Sequence, residues 1–203
     1  LEIVLRQLAE QGFDKAILAI GHLGHLIHAY VGDGSQWGIE VEYFQEESPL
    51  GTIGPALMLA DACPDDFLVM NGDILTNINY ADLLQTHIDA KAPLTIATYE
   101  RETRIDFGVL DVSGDEVTRF REKPTMKYAV SMGVYAVARR TLRGYTPGTP
   151  LGFDGLITDL LERGEHPACY PFAGYWLDIG RPDDYDRANL EFDTIKSSLL
   201  RDL

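Results

Sequence analysis

The 203-residue sequence has no apolar run long enough to span a bilayer, and its first residues lack the basic-then-apolar pattern of a signal peptide. No membrane partner is expected. Cysteine is scarce. Cys63 and Cys169 form no CxxC pair and no metal-ligand spacing, so they read as reduced thiols of a cytoplasmic protein. Cations are also few: 17 Lys and Arg stand against 32 Asp and Glu, a formal net charge of −15. That balance argues against a nucleic-acid backbone as partner. It also means that any phosphate-binding site needs a metal ion or a few well-placed cations to offset the repulsion. Internal repeats, low-complexity tracts and linkers are all missing, and the length suits one domain with a substantial core.

What is present alternates. Helical spacing in "LEIVLRQLAEQG" leads to an apolar strand at 15–21, a short helix at 25–32 and an alternating strand at 39–44. A helix is expected over 52–63, a strand at 66–71, a helix at 80–90 with Leu83, Leu84 and Ile88 inward, and a strand at 93–99. The second half reads as antiparallel strands at 107–112, 116–122 and 128–137, with turns at Gly114-Asp115 and around Lys127. A helix near 153–163, a strand at 166–172 and a helix after Pro182 follow. This order predicts an α/β fold: a Rossmann-like mixed, mostly parallel sheet with helices on both faces.

In such sheets ligands sit beyond the carboxyl ends of strands. The stretch "LVMNGDIL" ends an apolar strand on Asn71, Gly72 and Asp73, which serves a turn equally well and places a carboxylate where sites occur. In "EESPLGTIGPA", Gly51 and Gly54 flank Thr52 at the mouth of a helix, a loop able to cap the helix or to aim free N–H groups at a ligand. Pro124 in "FREKPT" fixes Glu122 and Lys123 in an extended or turn segment, either as an exposed ion pair or as a hold on a sugar hydroxyl and a phosphate. Gly133 inside the apolar "SMGVY" suggests a bulge or a ligand against the backbone. Asp178 in "YWLDIGRPDDY" again follows apolar residues. The spacing of His22, His25 and His28 could place ligands on one helical face, but solvated surface histidines are the simpler reading.

Taken in order, "PLGTIG", "NGD", "FGV", "EKP", "SMG" and "WLDIG" resemble the sugar-phosphate nucleotidyltransferases, or NDP-sugar pyrophosphorylases, in particular their mannose-1-phosphate guanylyltransferase-like branch. The resemblance runs to about Phe192 and implies the nucleotide-diphospho-sugar transferase fold, with 1–203 as a single nucleotidyltransferase domain. It implies a reaction in which an NTP and a sugar 1-phosphate give an NDP-sugar and pyrophosphate, with Mg²⁺ held by Asp73 and Asp178. It further implies that Lys123 contacts the sugar phosphate and Glu122 the sugar hydroxyls. Gly108 and Gly133 would leave space against the sugar. Ser131 stands where the family often has Asn. Gln45, Glu46, Gly51, Thr52, Asn71 and Gly72 would line the nucleotide side.

The same resemblance implies that the base is read by the residue five before the first glycine of the loop, which counts back from Gly51 to Glu46. A carboxylate that only accepts suits the N1–H and amino group of guanine, so GTP is favoured; a register shifted by one puts Gln45 there and suits UTP or dTTP. The family's amino-terminal loop, GxGxRLxPxTxxxPK, has no counterpart in the sequence. The expectation is a natural enzyme whose amino-terminal part is incomplete here, and a weak catalyst in this form. Two other readings stay open: a non-catalytic NDP-sugar binder, and a glycosyltransferase that consumes an NDP-sugar. The sequence leaves the sugar and any homo-oligomer undetermined.

Overall fold

The computed structural model describes residues 1–180 and 182–200. Helix α1 (Glu2–Glu10) buries Val4, Leu5 and Leu8 and leads into strand β1 (Lys15–Ile20). Helix α2 (Gly24–Val31) connects β1 to its parallel neighbour β2 (Glu40–Gln45). Helix α3 (Gly54–Met58) covers only the first part of the helix expected over 52–63. Pro55 opens it, and from Leu59 the chain winds on in turns, with the Ala62 and Cys63 N–H groups both donating to Leu59 O. Strand β3 (Asp66–Met70) is followed at once by β4 (Ile74–Thr76), a strand that the sequence reading did not separate from its turn.

Helix α4 (Tyr80–Ala90) starts at Asn79, whose side chain accepts the Asp82 N–H at 2.9 Å. Its inward face is Tyr80, Leu83 and His87; Leu84 is half-buried and Ile88 is exposed, contrary to expectation. The helix is rotated because His87 finds polar partners inside, namely Thr95 and Asp66. Strand β5 (Leu94–Arg104), the hairpin strands β6 (Val109–Ser113) and β7 (Glu116–Arg121), and the long β8 (Thr125–Ala138) come next. The turn after β7 lies at Glu122–Pro124, not around Lys127. Lys127 is inside β8, where its ammonium lies 2.7 Å from Glu100 and 3.1 Å from Glu102 of β5. Helix α5 (Phe153–Glu162), strands β9 (Ala168–Phe172) and β10 (Trp176–Asp178), and helix α6 (Pro182–Leu199) follow.

The central sheet has the order β3-β8-β5-β9. Strands β3, β5 and β9 share one direction, and β8 runs against them. The sheet is therefore mixed: β8 returns from the hairpin and inserts between β3 and β5, so both of its ladders are antiparallel while β5 and β9 pair in parallel. Alternation along β8 splits the core into two layers. Met132, Val134 and Ala136 join Leu5, Leu8, Tyr80 and Leu83 on one side, whereas Tyr135 and Val137 join Ile53, Leu57, Leu156 and Leu160 on the other. Helices thus cover both faces. Gln7 ties the layers to the carboxyl-terminal helix, its Nε2 donating to Thr76 O at 2.8 Å and to Leu199 O at 2.9 Å. Among the described residues no helix is long and apolar enough to cross a membrane.

Candidate active site

Three of the sequence motifs meet at one end of the central sheet. Where β3 ends, the Asn71 N–H donates to Gly133 O at 2.9 Å, joining "NGD" to "SMG". Gly133 has φ +73°, and a side chain there would place its Cβ 2.9 Å from Asn71 Nδ2. Glycine is required on both counts. The pairing of β5 with β8 shifts between Ile96 and Thr98, opposite Tyr135 and Ser131, so Gly133 sits in the bulge that the sequence suggested.

The second junction brings "NGD" to "WLDIG". Strand β10 pairs antiparallel with β4, with Asp178 opposite Ile74, and the Ile179 N–H donates to Asp73 O at 2.9 Å. Gly180 lies between the two carboxylates: a Cβ there would stand 2.5 Å from Asp73 Oδ2 and 3.2 Å from Asp178 Oδ1. The Gly180 N–H also donates to Asp178 Oδ1 at 3.1 Å. Asp73 is exposed and Asp178 half-buried, so each carboxylate keeps acceptor capacity toward solvent. Gly180 is the site residue that the sequence reading did not single out. Its signal was the glycine two residues after Asp178 in "WLDIG".

The third junction is at the end of the hairpin. Gly108 lies against Phe120 and Glu122, its missing Cβ leaving 2.5 Å to Phe120 Cε2 and 3.4 Å to Glu122 Oε2. Close packing of Phe120 thus demands glycine here, alongside any role toward a ligand. Lys123 adopts φ +41°, a left-handed backbone that a lysine rarely takes. Its exposed side chain makes no ion pair with any described residue. Ser131 is engaged within the chain. Its hydroxyl donates to Tyr135 Oη at 2.8 Å and accepts the Gly133 N–H at 3.3 Å. Tyr135 itself stacks on Phe153 with ring centroids 3.5 Å apart, and burial raises its phenol pKa.

The loop expected to cradle phosphates is anchored to the chain before α5. The N–H groups of Ile53 and Gly54 both donate to Leu151 O, at 3.1 and 3.2 Å, so these two are not free for a ligand. Thr52 Oγ1 accepts the Phe153 N–H at 3.2 Å, and Gly51, at φ +77°, leaves no room for a Cβ beside Leu151 O. Of the candidate base readers, Glu46 is half-buried and one carboxylate oxygen accepts the Leu50 N–H at 3.1 Å. Gln45 is exposed, and its amide makes only long contacts, to Gly21 O at 3.4 Å and Glu46 O at 3.3 Å. Trp176 is held by packing, its indole donating to Met132 O at 3.0 Å.

No group of three or more His, Cys, Asp or Glu side chains able to hold a metal occurs among the described residues. The donor set at Gly180 is a pair of carboxylates open to solvent. That fits Mg²⁺, which takes one or two carboxylates and fills its other positions with water and phosphate oxygens.

Residues 1–194 match the family described as Nucleotidyl transferase. The chain is 29% identical over 196 residues to the mannose-1-phosphate guanylyltransferase of Mycobacterium tuberculosis, covering 93% of this chain and 54% of that protein. It is 27% identical over 188 residues to the mannose-1-phosphate guanylyltransferase catalytic subunit beta of Dictyostelium discoideum, covering 89% of this chain and 52% of that protein. It spans about half the length of these curated relatives. Among solved structures, HddC from Yersinia pseudotuberculosis superposes with a TM-score of 0.72 at 23% identity, over 94% of this chain and 84% of that one, which establishes the fold. With the match reaching from the first residue to beyond "WLDIG", the chain belongs to the nucleotidyl transferase family.

Proposed function

We propose that the protein transfers a nucleotidyl group from an NTP, with GTP favoured, to a sugar 1-phosphate, giving an NDP-sugar and pyrophosphate. The observation that carries this reading is the convergence of Asp73 and Asp178 on Gly180. The names of the relatives support mannose 1-phosphate and a guanine nucleotide as the substrate pair.

Asp73 and Asp178 would hold Mg²⁺. Bound there, the ion would neutralise charge on the α-phosphate and make its phosphorus more electrophilic. The acceptor oxygen of a sugar 1-phosphate is already anionic, so its attack needs no general base. The new bond forms at the α-phosphorus, the bond to the bridging oxygen of the β-phosphate breaks, and pyrophosphate leaves with that electron pair. The work left to the chain is to bring two anions together in line. Lys123, unpaired among the described residues, would take the sugar phosphate, and Glu122 the sugar hydroxyls. Gly108, Gly133 and Ser131 would line the sugar half, with Asn71, Gly72, Gly51 and Thr52 on the nucleotide half. Glu46 keeps one carboxylate oxygen without a donor among the described residues, which suits guanine. The exposed amide of Gln45 favours a second assignment, to UTP or dTTP.

Calorimetric titration with GTP, UTP and dTTP, with and without Mg²⁺, tests the reading, followed by pyrophosphate release with mannose 1-phosphate. Mg²⁺-dependent GTP binding is expected, with Asp73→Asn and Asp178→Asn each lowering turnover by about 10²- to 10³-fold, the usual cost of losing one electrostatic stabiliser. NDP-sugar binding that ignores Mg²⁺ and both substitutions, without pyrophosphate release, would sink it.

A further inference from the structure

Arg101 is an unpaired cation in an acidic chain. Strand β5 runs on past its last pairing with β9, Tyr99 with Phe172, so Arg101 lies where only β8 flanks the strand, opposite Tyr128. Its neighbours Glu100 and Glu102 point to the other face. There the Lys127 ammonium holds both, at 2.7 and 3.1 Å. Arg101 is left with no carboxylate and no hydrogen-bond acceptor among the described residues. Its guanidinium carbon instead lies 4.9 Å from the ring centroid of Trp176 and 5.8 Å from that of Tyr99. The two rings are 5.3 Å apart.

This aromatic platform adjoins the candidate site. The Trp176 indole donates to the carbonyl of Met132, which stands between Ser131 and Gly133. Trp176 also shares a face of β10 with Asp178, two residues on. The ring therefore links the strand of Ser131 and Gly133 to the strand of Asp178. Arg101 lies over that ring toward the carboxyl end of β5, the same end of the sheet as Asn71. An arginine can cover an aromatic ring for packing alone. The charge balance argues for more. The site has two carboxylates in a chain of −15 and has to gather two phosphate-bearing substrates, with Lys123 as the cation its motifs supply. Arginine rather than lysine suits the place, since its planar fork stacks on aromatic rings and still presents N–H groups to phosphate. We propose that Arg101 is a substrate-binding residue. Held over Trp176, its guanidinium takes the phosphate of the sugar 1-phosphate from the β10 side, while Lys123 reaches it from the end of the hairpin. The inference rests on the proposed reaction and adds a second cation to it.

Calorimetric titration of the 203-residue chain with mannose 1-phosphate, glucose 1-phosphate and GTP tests it. Arg101→Ala should raise the dissociation constant for the sugar 1-phosphate about 10- to 100-fold, as expected for losing a hydrogen bond to a charged group, and leave that for GTP unchanged. Arg101→Lys, which keeps the charge and loses the fork, should fall between. Trp176 gives a second readout. After Trp37→Phe it is the sole tryptophan, and sugar 1-phosphate should shift its emission with Arg101 present and not with Arg101→Ala. An arginine that only covers the ring would lower the melting temperature on removal with sugar-phosphate affinity intact, which overturns the proposal. A loss of GTP affinity in its place assigns Arg101 to the triphosphate and overturns it too. Arg101→Gln, which leaves much of the stem on the ring, decides by the same outcomes if the alanine variant fails to fold. A wild-type chain that binds neither sugar phosphate overturns the proposed reaction together with this inference. A wild-type chain that binds one no more tightly than Arg101→Ala does overturns this inference alone.

Discussion

The carbonyl of Asp73 accepts the N–H of Ile179 at 2.9 Å, and through this bond two motifs far apart in the chain become one acidic pair. Ile179 follows Asp178, so fixing its backbone fixes where the second carboxylate stands. Gly180 then occupies a position where a methyl group would touch both carboxylates at once, 2.5 Å from Asp73 Oδ2 and 3.2 Å from Asp178 Oδ1. Gly180→Ala is therefore expected to push the pair apart while leaving the core untouched. Mg²⁺-dependent nucleotide binding should fall by tenfold or more, with thermal stability within the ±0.5 kcal/mol typical of surface changes. Calorimetry with and without Mg²⁺, set beside a melting curve, separates the two effects. A variant that binds like wild type would show that the carboxylates do not act as a pair.

Gly133→Ala makes the contrasting case. Here the backbone itself is left-handed, φ +73°, and a Cβ would also crowd Asn71 Nδ2 at 2.9 Å. The left-handed conformation costs an alanine about 1–2 kcal/mol. Both stability and ligand binding should fall together, because Asn71 stands at the end of β3 beside the site. Urea denaturation and nucleotide titration of the same preparation check this. A stable variant with normal binding would mean that the bulge has another way to relax.

The alternation of helix and strand was legible because burial imposes its period on the residues. Val134 and Ala136 facing one layer, with Tyr135 and Val137 facing the other, are written directly into "SMGVYAVA". The acidic pair was legible only through the resemblance of "NGD" and "WLDIG" to a family, since spacing along the chain says nothing of which strand ends meet. What was hidden had specific causes. Ile88 looked inward by apolar character, but His87 took the buried place, where its Nδ1 hydrogen-bonds Thr95 and its Nε2 lies 3.2 Å from the Asp66 carboxylate. The loop at Gly51 and Gly54 looked free to bind phosphate, but Leu151, a hundred or so residues on, takes two of its N–H groups. Long-range hydrogen bonds of this kind leave no periodic trace.

His87 also makes stability depend on pH. The side chain is 0% exposed, with Nδ1 2.8 Å from Thr95 Oγ1 and Nε2 3.2 Å from an Asp66 carboxylate oxygen. Burial lowers its pKa below the usual 6.5, and the attraction of Asp66 opposes this only in part. A histidine whose folded pKa is depressed binds its proton more readily when unfolded. Its contribution is thus present above pH 6.5 and is lost as pH falls below that value, at a limiting slope of about 1.4 kcal/mol per pH unit. Urea unfolding at pH 7.5 and 5.5 should show the drop, and His87→Gln, though less stable at both, should show a smaller one. An equal drop in the variant would assign the effect to other groups.

Lys123 lets function and stability be read in opposite directions. Its φ of +41° strains a residue that carries a side chain, and no described carboxylate pairs with its ammonium to repay that strain. Lys123→Gly relieves about 1–2 kcal/mol of backbone strain, against about 0.5–1 kcal/mol of extra chain entropy lost on folding. The melting temperature should hold or rise. If the ammonium takes the sugar phosphate, the same substitution removes a charge-assisted contact worth about 1.5–3 kcal/mol, which raises the KM for sugar 1-phosphate roughly 10- to 100-fold. Lys123→Ala should raise it equally without the gain in stability, and Lys123→Arg should restore part of the affinity. Nucleotide binding should not change in any of the three. A lysine retained only to shape the turn would give a different pattern: glycine would be harmless to KM, and alanine and arginine would behave alike.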